Sequence, residues 1–232
     1  MTADLVTRPV ALAGPSRRVV PDARDLWYLL ADRPPQQAHQ RVLRGPVYDQ
    51  GEAPTGVACA LLAALHASPA KIGPARTPTV EALDRLIREL EGALGPAVTI
   101  RSGCRALLAL GLITGYAWSY EASEIAGHLA SGHGLVLGVD WYANMDRPDR
   151  NGLIRAWGTP VGGHAVFAWG YDPLTDTVAF QNSRGASWGG WSTRKGRRDF
   201  KGCARLPLGD LKRLLDDSAE AVALVKNAGY KP

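Results

Sequence analysis

The sequence predicts an α+β protein of two lobes, in which a mainly helical half precedes a strand-rich half. In the first half, apolar residues recur at helical spacing between glycine and proline breaks. In the second half, short apolar or alternating runs are bounded by Gly, Pro, Asp and Asn, which is typical of strands. We expect a functional site in the cleft where two such lobes meet.

The chain has 232 residues, which is long enough to bury one large core. Residues 1–18 are predicted to form an irregular N-terminal arm, because they contain prolines and a glycine and have no apolar periodicity. Residues 19–232 are predicted to form a single domain. Its mainly helical lobe is expected at about 50–132 and its strand-rich lobe at about 134–226.

A buried helix is predicted directly after a loop that contains glycine and proline, in the stretch 49–65 (DQGEAPTGVACALLAAL). Apolar residues run without a break from Val57 to Ala63, and their alanine and leucine content favours a helix over a strand. An amphipathic surface helix is predicted next, with Thr79 as its N-cap and its end near Gly95. Further predicted helices, each stopped by a glycine, are 102–110 and 122–130.

The strands are predicted in the second half of the chain. The runs with the composition and boundaries of strands are 134–142, 164–172 and 176–182. Two further candidate strands are 189–194 and 219–226, and a short helix is predicted at 206–215. The pattern therefore places nearly all of the sheet after the helices.

The composition argues against several classes of protein. The 3 cysteines are widely separated and odd in number, which argues against a disulfide framework and a metal site and favours a reducing compartment. The N-terminus lacks the apolar run of a signal peptide, and no apolar run elsewhere is long enough to span a membrane. We expect a soluble protein that is not secreted by a signal peptide, contacts no membrane and needs no cofactor or metal.

The net charge of +5 comes mostly from arginine, and much of the excess lies in the basic segment between Arg194 and Arg205. We interpret this segment as a solvated loop. A basic stripe of this length supports a contact with nucleic acid only weakly, so nucleic acid is not the expected partner.

Two polar residues at the ends of predicted strands are candidates for catalysis. His164 follows two glycines at the start of an apolar strand, and Asn182 ends another strand. An asparagine oxygen can hold an imidazole in one tautomer, and a thiol across the cleft would complete a Cys-His-Asn arrangement. Gln50, six residues before the predicted helix, could donate its amide to a developing oxyanion. Taken singly, such a histidine is more often structural and such an asparagine is usually a turn residue.

The motifs in order are more specific than the single residues. DQG before a long apolar helix, then GGHAVFAWGYD, then QNSRGASWGGW resemble the papain-like cysteine peptidases, and in particular the compact bacterial and phage members without an inhibitory propeptide. The resemblance implies a helical lobe and a β-barrel-like lobe with the site between them. It implies hydrolysis of peptide bonds, with Gln50 as oxyanion donor, His164 as general base and Asn182 as the residue that orients it. Trp188 matches the second tryptophan of the motif that follows the asparagine.

The chain departs from this family at two positions of the site. A gapless match of DQGEAPTG puts Gly56 where the family has its nucleophilic cysteine. Arg184 replaces the first tryptophan of the motif after the asparagine, which in the family screens the His–Asn contact from water. We expect a charged, solvated side chain at 184 to shield that contact poorly.

Cys59 is a candidate substitute for the missing thiol. It lies three residues after Gly56, about 4.5 Å further along the helix axis. Displacements of about 1 Å already cost reaction rate heavily, and the helix dipole is weaker beyond the first turn. We therefore interpret Cys59 as a core residue, and Cys104 and Cys203 as structural. The large side chains before His164 could line a peptide groove, but core packing is the favoured interpretation for these residues, namely Trp141, Tyr142, Met145 and Trp157.

The resemblance and its departures leave alternative functions open. The chain is either a papain-like peptidase inactivated by substitution of its nucleophile, or a native pseudopeptidase that acts as a binding or structural module, for example in a phage virion. A peptidase that uses Cys59 is the minor alternative. Each predicts a peptide or protein ligand in the cleft, and the second adds a protein assembly partner. The expected location is cytoplasmic or virion-associated.

Overall fold

The computed structural model describes residues 17–20, 22–23, 25, 29–30, 44–92, 97–192, 200–227 and 229. Most of the predicted N-terminal arm lies outside these residues. The same is true of the basic run 194–198 and of most of the segment 19–43. The division into an arm and a single domain therefore stays a prediction.

The first part of the described chain is helical, as predicted. Helix α1 spans Gly56–His66, α2 spans Val80–Glu91 and α3 spans Ile100–Ala109. A second group of elements then mixes strands with helices. Its members are β1 Ile113–Ser119, α4 Ala122–Ala130, β2 Leu135–Tyr142, β3 Pro160–Asp172, β4 Thr177–Gln181, β5 Cys203–Pro207, α5 Leu208–Asp217 and β6 Glu220–Lys226. Short 3₁₀ turns occur at Pro74–Arg76 and Ala143–Asp146.

The helix boundaries follow from local capping. The side chain of Thr79 accepts a hydrogen bond from the Ala82 amide, which confirms the predicted N-cap of α2. Helix α2 ends at Glu91, earlier than predicted, because Gly92 takes a left-handed conformation with φ of 63°. Helix α3 likewise begins earlier than predicted, since the Thr99 side chain caps it by accepting from the Ser102 amide.

The six strands form one antiparallel sheet in the order β1-β6-β2-β3-β4-β5. The central strand β3 is buried on both faces, with successive side chains in different cores. Ala165 and Phe167 pack with α1, α2 and α3. Val166 and Ala168 pack with α4 and α5 on the other side. The helix α1 is buried along its whole length and packs against β3.

Some strand predictions were wrong. The candidate strand 189–194 is not formed in its described part, because Gly189 and Gly190 have φ of 56° and 87°, outside the strand region. Strands β1 and β5 were not predicted. Strand β5 also takes up the start of the segment predicted as helix 206–215, so that α5 begins only at Leu208.

Arg17, which precedes α1 in the chain, packs against the sheet at strands β2, β3 and β6. Its Nε donates to Glu220 Oε1 at 3.2 Å, and the two side chains are 1% and 6% exposed. A second guanidinium nitrogen donates to the Ser218 carbonyl at 3.0 Å. A β-carbon at Gly138 would collide with the Arg17 side chain, and one at Gly163 would collide with the Arg17 carbonyl. These two glycines thus leave the space in which Arg17 lies. Gly163 directly precedes His164 in the chain.

Candidate active site

His164 and Asn182 form a buried pair on two neighbouring strands, although His164 lies inside β3 and not at its predicted start, because the strand begins at Pro160. His164 lies in β3, and Asn182 directly follows the last residue of β4. The imidazole Nε2 lies 2.7 Å from Asn182 Oδ1, and the two residues are 7% and 2% exposed. The hydrogen bond that the sequence predicts between them is therefore present.

The hydrogen bonds of the asparagine determine the tautomer of the histidine. The backbone N–H of Ser183 donates to Asn182 Oδ1 at 2.8 Å. Because a backbone N–H can only donate, the asparagine atom at this position is the accepting oxygen. The same oxygen faces His164 Nε2, so Nε2 carries the proton and donates. In the neutral ring Nδ1 then carries the lone pair, which is the arrangement required of a general base.

The pKa of His164 is lowered from 6.5 to about 4, chiefly because the ring is buried; the hydrogen bond to Asn182 opposes the shift, and the nearby charge of Arg184 adds to it. The imidazole is therefore neutral at pH 7. The folded environment keeps the ring neutral even below pH 6.5, where an exposed histidine becomes charged.

We expect an NMR titration to give His164 a pKa near 4, and stability to depend on pH accordingly. The folded pKa lies below the unfolded value of 6.5, so the unfolded chain binds more protons between these values. Stability is thus fully present above pH 6.5 and is lost as the pH falls toward 4, by roughly 2–4 kcal/mol from this histidine. Imidazole ¹⁵N shifts measure the pKa of His164, and urea unfolding at several pH values measures the change in stability. A His164 pKa above 6 would contradict the prediction.

Gln50 is attached to the segment that carries Asn182. Its backbone N–H donates to the Ser183 carbonyl at 2.8 Å, and its side-chain Oε1 accepts from Ser183 Oγ at 2.5 Å. Its Nε2 donates to the Ala53 carbonyl at 2.9 Å, within the loop that leads to α1. The loop and the end of β4 are thereby held together. The role of Gln50 as an oxyanion donor stays a prediction.

Gly56 is the first residue of α1 and is buried. Thr55 precedes it as N-cap without a side-chain hydrogen bond to the helix, and the first turn contains no acidic residue. The start of a helix favours an anion through its unpaired N–H groups and its dipole. Glycine provides no side-chain group that could become that anion, so this position has no nucleophile.

Cys59 lies one turn further into α1 and is 2% exposed. Burial chiefly raises the pKa of its thiol to about 12, although the Thr55 hydroxyl, 3.9 Å from Sγ, opposes the shift. It lines a cavity of about 10 Å³ with neighbours that include Tyr48, Asn182 and Ser183. The thiol is therefore protonated at neutral pH, which fits a core residue. Cys104 and Cys203 are buried and free as well.

Arg184 differs from the solvated side chain that we expected from the sequence. Its side chain is only 16% exposed, and its Nη1 lies 2.8 Å from Asp146 Oδ1. Its guanidinium carbon lies 5.4 Å from the ring centroid of Trp141. Arg184 is held in place by these contacts, so the expectation of a solvated side chain was wrong.

Trp141 and Asp146 are the site residues that sequence reasoning did not single out. The Trp141 ring lies edge-on to His164, with 4.9 Å between ring centroids. Its Nε1 donates to Asp146 Oδ1 at 2.7 Å, and Trp188 Nε1 donates to the Asp146 carbonyl at 2.9 Å. Trp141 was expected to be a core residue and is indeed 2% exposed, whereas the same expectation for Trp157 was wrong, since it is 64% exposed. No sequence signal indicates that Asp146 meets Arg184.

A large cavity lies apart from this site. It has a volume of about 570 Å³ and is lined by an aromatic group that includes Trp169, Trp191 and Phe200. None of the candidate catalytic residues borders it. Within the described residues no cluster of His, Cys, Asp and Glu could hold a metal ion, and no helix has the length and apolarity to cross a membrane.

Comparison with known proteins gives matches at the level of structure. Neither the protein-family models nor the curated protein sequences that were compared match this chain. Xylellain, a cysteine protease from Xylella fastidiosa, aligns with a TM-score of 0.68 and 19% identity over 92% of this chain and 97% of xylellain. Digestive procathepsin L 3 of Tenebrio molitor aligns with a TM-score of 0.57 and 14% identity over 85% of this chain and 74% of the procathepsin. Digestive procathepsin L2 from the larval midgut of Tenebrio molitor aligns with a TM-score of 0.53 and 14% identity over 78% of this chain and 64% of the procathepsin.

At these identities the alignments establish a shared fold. The helices α1 to α3 pack on one face of the antiparallel sheet, and α4 and α5 pack on the other, within the α+β class that the sequence predicts. The chain has the two-lobed fold of the papain-like cysteine peptidases.

Proposed function

We propose that this chain is a papain-like peptidase scaffold in which the hydrolytic site is complete except for its nucleophile. The buried His164–Asn182 pair, with Nε2 donating and Nδ1 carrying the lone pair, is the observation that supports the proposal most directly. Such a pair costs stability to bury, and a purely structural histidine has no need of this tautomer. As written, the chain binds a peptide or protein in the cleft and does not cleave it.

The arrangement around Gly56 suits a thiol. Helix α1 packs against β3, and Cys59 of this helix lines the same cavity as Asn182. Gly56 precedes Cys59 by about one helical turn, roughly 5 Å along the axis, so the start of α1 is on the helix that borders the Asn182 end of the pair. A cysteine there would give its proton to His164 Nδ1 and would be stabilised as a thiolate by the imidazolium and the helix dipole.

The reaction of such a thiolate with a peptide follows general acyl-transfer chemistry. The sulfur attacks the carbonyl carbon, and the Gln50 amide with a backbone N–H at the helix start stabilises the oxyanion. The C–N bond breaks as His164 gives its proton to the leaving amine, which leaves a thioester. Water, deprotonated by His164, then hydrolyses the thioester and restores the thiol.

A native pseudopeptidase is the second candidate. In that case glycine is the natural residue, and the cleft serves binding or assembly, in a virion or in the cytoplasm. The side chain of Arg184 packs against Asp146 and Trp141, so the arginine at this position does not by itself favour the second candidate. The residue at position 56 in the genomic sequence decides between the two candidates.

Labelling with an epoxide that alkylates thiolates tests the proposal. We expect no mass increase for the parent chain, because Cys59 is buried and has a raised pKa. We expect one label on Gly56→Cys at pH 6.5, roughly 10²-fold faster than on an ordinary thiol, of which about 1% is ionised there. Gly56→Ser is the matched control. Labelling of Cys59 in the parent chain, or a merely ordinary rate for Gly56→Cys, would contradict the proposal.

A further inference from the structure

We propose that Trp141, Asp146 and Arg184, here named the Trp141 cluster, position His164 and keep water from its hydrogen bond to Asn182. The cluster thus replaces the screening side chain that the family's tryptophan at position 184 would provide. Its meaning for catalysis rests on the proposed function. The contacts themselves do not depend on residue 56.

The strand register brings the tryptophan to the histidine. Val139 of β2 lies directly opposite His164 of β3, and Trp141 lies two residues further along β2. Because side chains alternate along a strand, Trp141 and His164 project from the same face as diagonal neighbours. The indole edge thereby packs on the imidazole, with an interplanar angle of 73°. This geometry is favourable for an aromatic pair.

The indole is held by a hydrogen bond in addition to its packing. Asp146, in the 3₁₀ turn after β2, accepts from Trp141 Nε1 through the same Oδ1 that contacts Arg184. The carboxylate is 22% exposed and balances the charge of Arg184. The guanidinium lies over the Trp141 ring, so each of the three residues contacts the other two. Each member of the cluster therefore restrains the other two.

The position of Arg184 in the chain connects the cluster to the catalytic segment. Arg184 follows Asn182 by two residues, and its backbone pairs with Asp49, next to Gln50. Gly185, with φ of 71°, has no room for a β-carbon beside the Asp49 carboxylate. A shift of the Trp141 cluster would therefore move the segment that holds Asn182. We assign Trp141, Asp146 and Arg184 as positioning residues that act on His164.

The test measures the exchange of the His164 Nε2 proton with water in the ¹⁵N-histidine-labelled chain, without any change at residue 56. Trp141→Ala and Asp146→Ala are expected to raise the exchange rate roughly tenfold or more, whereas Trp141→Phe, which keeps a ring on the imidazole, is expected to raise it less. Asp146 lies at the surface, so its replacement leaves no core cavity if Trp141→Ala fails to fold.

Trp157→Ala is the matched control, since this tryptophan lies between β2 and β3 but is 64% exposed. Introducing the family's residue with Arg184→Trp in the Trp141→Ala background is expected to slow the exchange again. The proposal is overturned if Trp141→Ala and Asp146→Ala leave the rate unchanged, or if Trp157→Ala raises it equally. These outcomes are independent of the Gly56→Cys labelling, so failure of one proposal is distinguishable from failure of the other.

Discussion

Gly56→Cys is expected to hydrolyse peptide bonds about 10⁴-fold or more faster than the parent chain, because loss or gain of a covalent nucleophile changes turnover by such factors. In the proposed function, the remaining groups of the reaction are His164, Asn182 and Gln50. His164 Nδ1 carries the lone pair, and the Gln50 loop is attached next to Asn182. A thiolate at residue 56 would also raise the pKa of His164 above its present value of about 4, since it adds a negative charge beside the imidazole.

Hydrolysis of a mixed fluorogenic peptide library measures this effect. The double variant Gly56→Cys/His164→Ala should return nearly to the parent rate, because the general base is then absent. Gly56→Cys/Cys59→Ala should remain active, since Cys59 takes no part in the reaction. A folded Gly56→Cys protein that labels with the epoxide but hydrolyses no peptide would favour the native pseudopeptidase.

Arg17→Met is expected to destabilise the protein by about 3–5 kcal/mol at pH 7, because it leaves a buried carboxylate without its ion-pair partner. Glu220 is 5% exposed, and burial already raises its pKa against the lowering effect of Arg17. Removal of the arginine raises that pKa further. The folded state then binds the proton more tightly than the unfolded state, so the loss is complete at neutral pH and shrinks as the pH falls toward about 4.3.

Urea unfolding at pH 7 and pH 4.5 measures the Arg17 effect. The double variant Arg17→Met/Glu220→Gln should recover part of the lost stability, since no unpaired charge remains. Lys212→Met is the control, because Lys212 and Asp216 form an exposed i,i+4 pair whose loss should not measurably change unfolding. A loss in Arg17→Met that is equal at both pH values would contradict the electrostatic explanation.

The parts of the fold with a strong local signal could be predicted from the sequence. The uninterrupted apolar run of α1 and the Thr79 cap of α2 each depend on residues that are near one another in the chain. His164 and Asn182 could be paired because glycines and strand ends mark their positions, and the resemblance to a family gave them an order. Their hydrogen bond was therefore foreseeable.

The elements that were missed depend on partners far away in the chain. Strand β1 is interrupted by Gly115, and its middle is only half-buried, so its residues show no clear alternation before it pairs with β6. Strand β5 is a short segment that is defined by its pairing with β4. The strand predicted at 189–194 was wrong because Gly189 and Gly190 have positive φ, and the Gly190 N–H donates to the Cys203 carbonyl.

The candidate site also contains contacts between distant parts of the chain that could not be predicted from the sequence. A substitution of tryptophan by arginine at position 184 looks like the loss of a screen when only the local motif is considered. The structure supplies Asp146 and Trp141 from another part of the chain, and both contact Arg184. Sequence reasoning had no means to foresee this compensation, because it requires the register of β2 against β3.

The close fit of Arg17 against Gly138 and Gly163 has a consequence for natural variation. The guanidinium, the carboxylate of Glu220 and the two missing side chains occupy one volume, so these positions should change together among homologues. A homologue with a larger residue at either glycine should lack the arginine, and its glutamate should be replaced by an uncharged residue. Such co-variation would show that homologues keep the packing of Arg17 against strands β2 and β3. This result would not depend on whether residue 56 is cysteine or glycine.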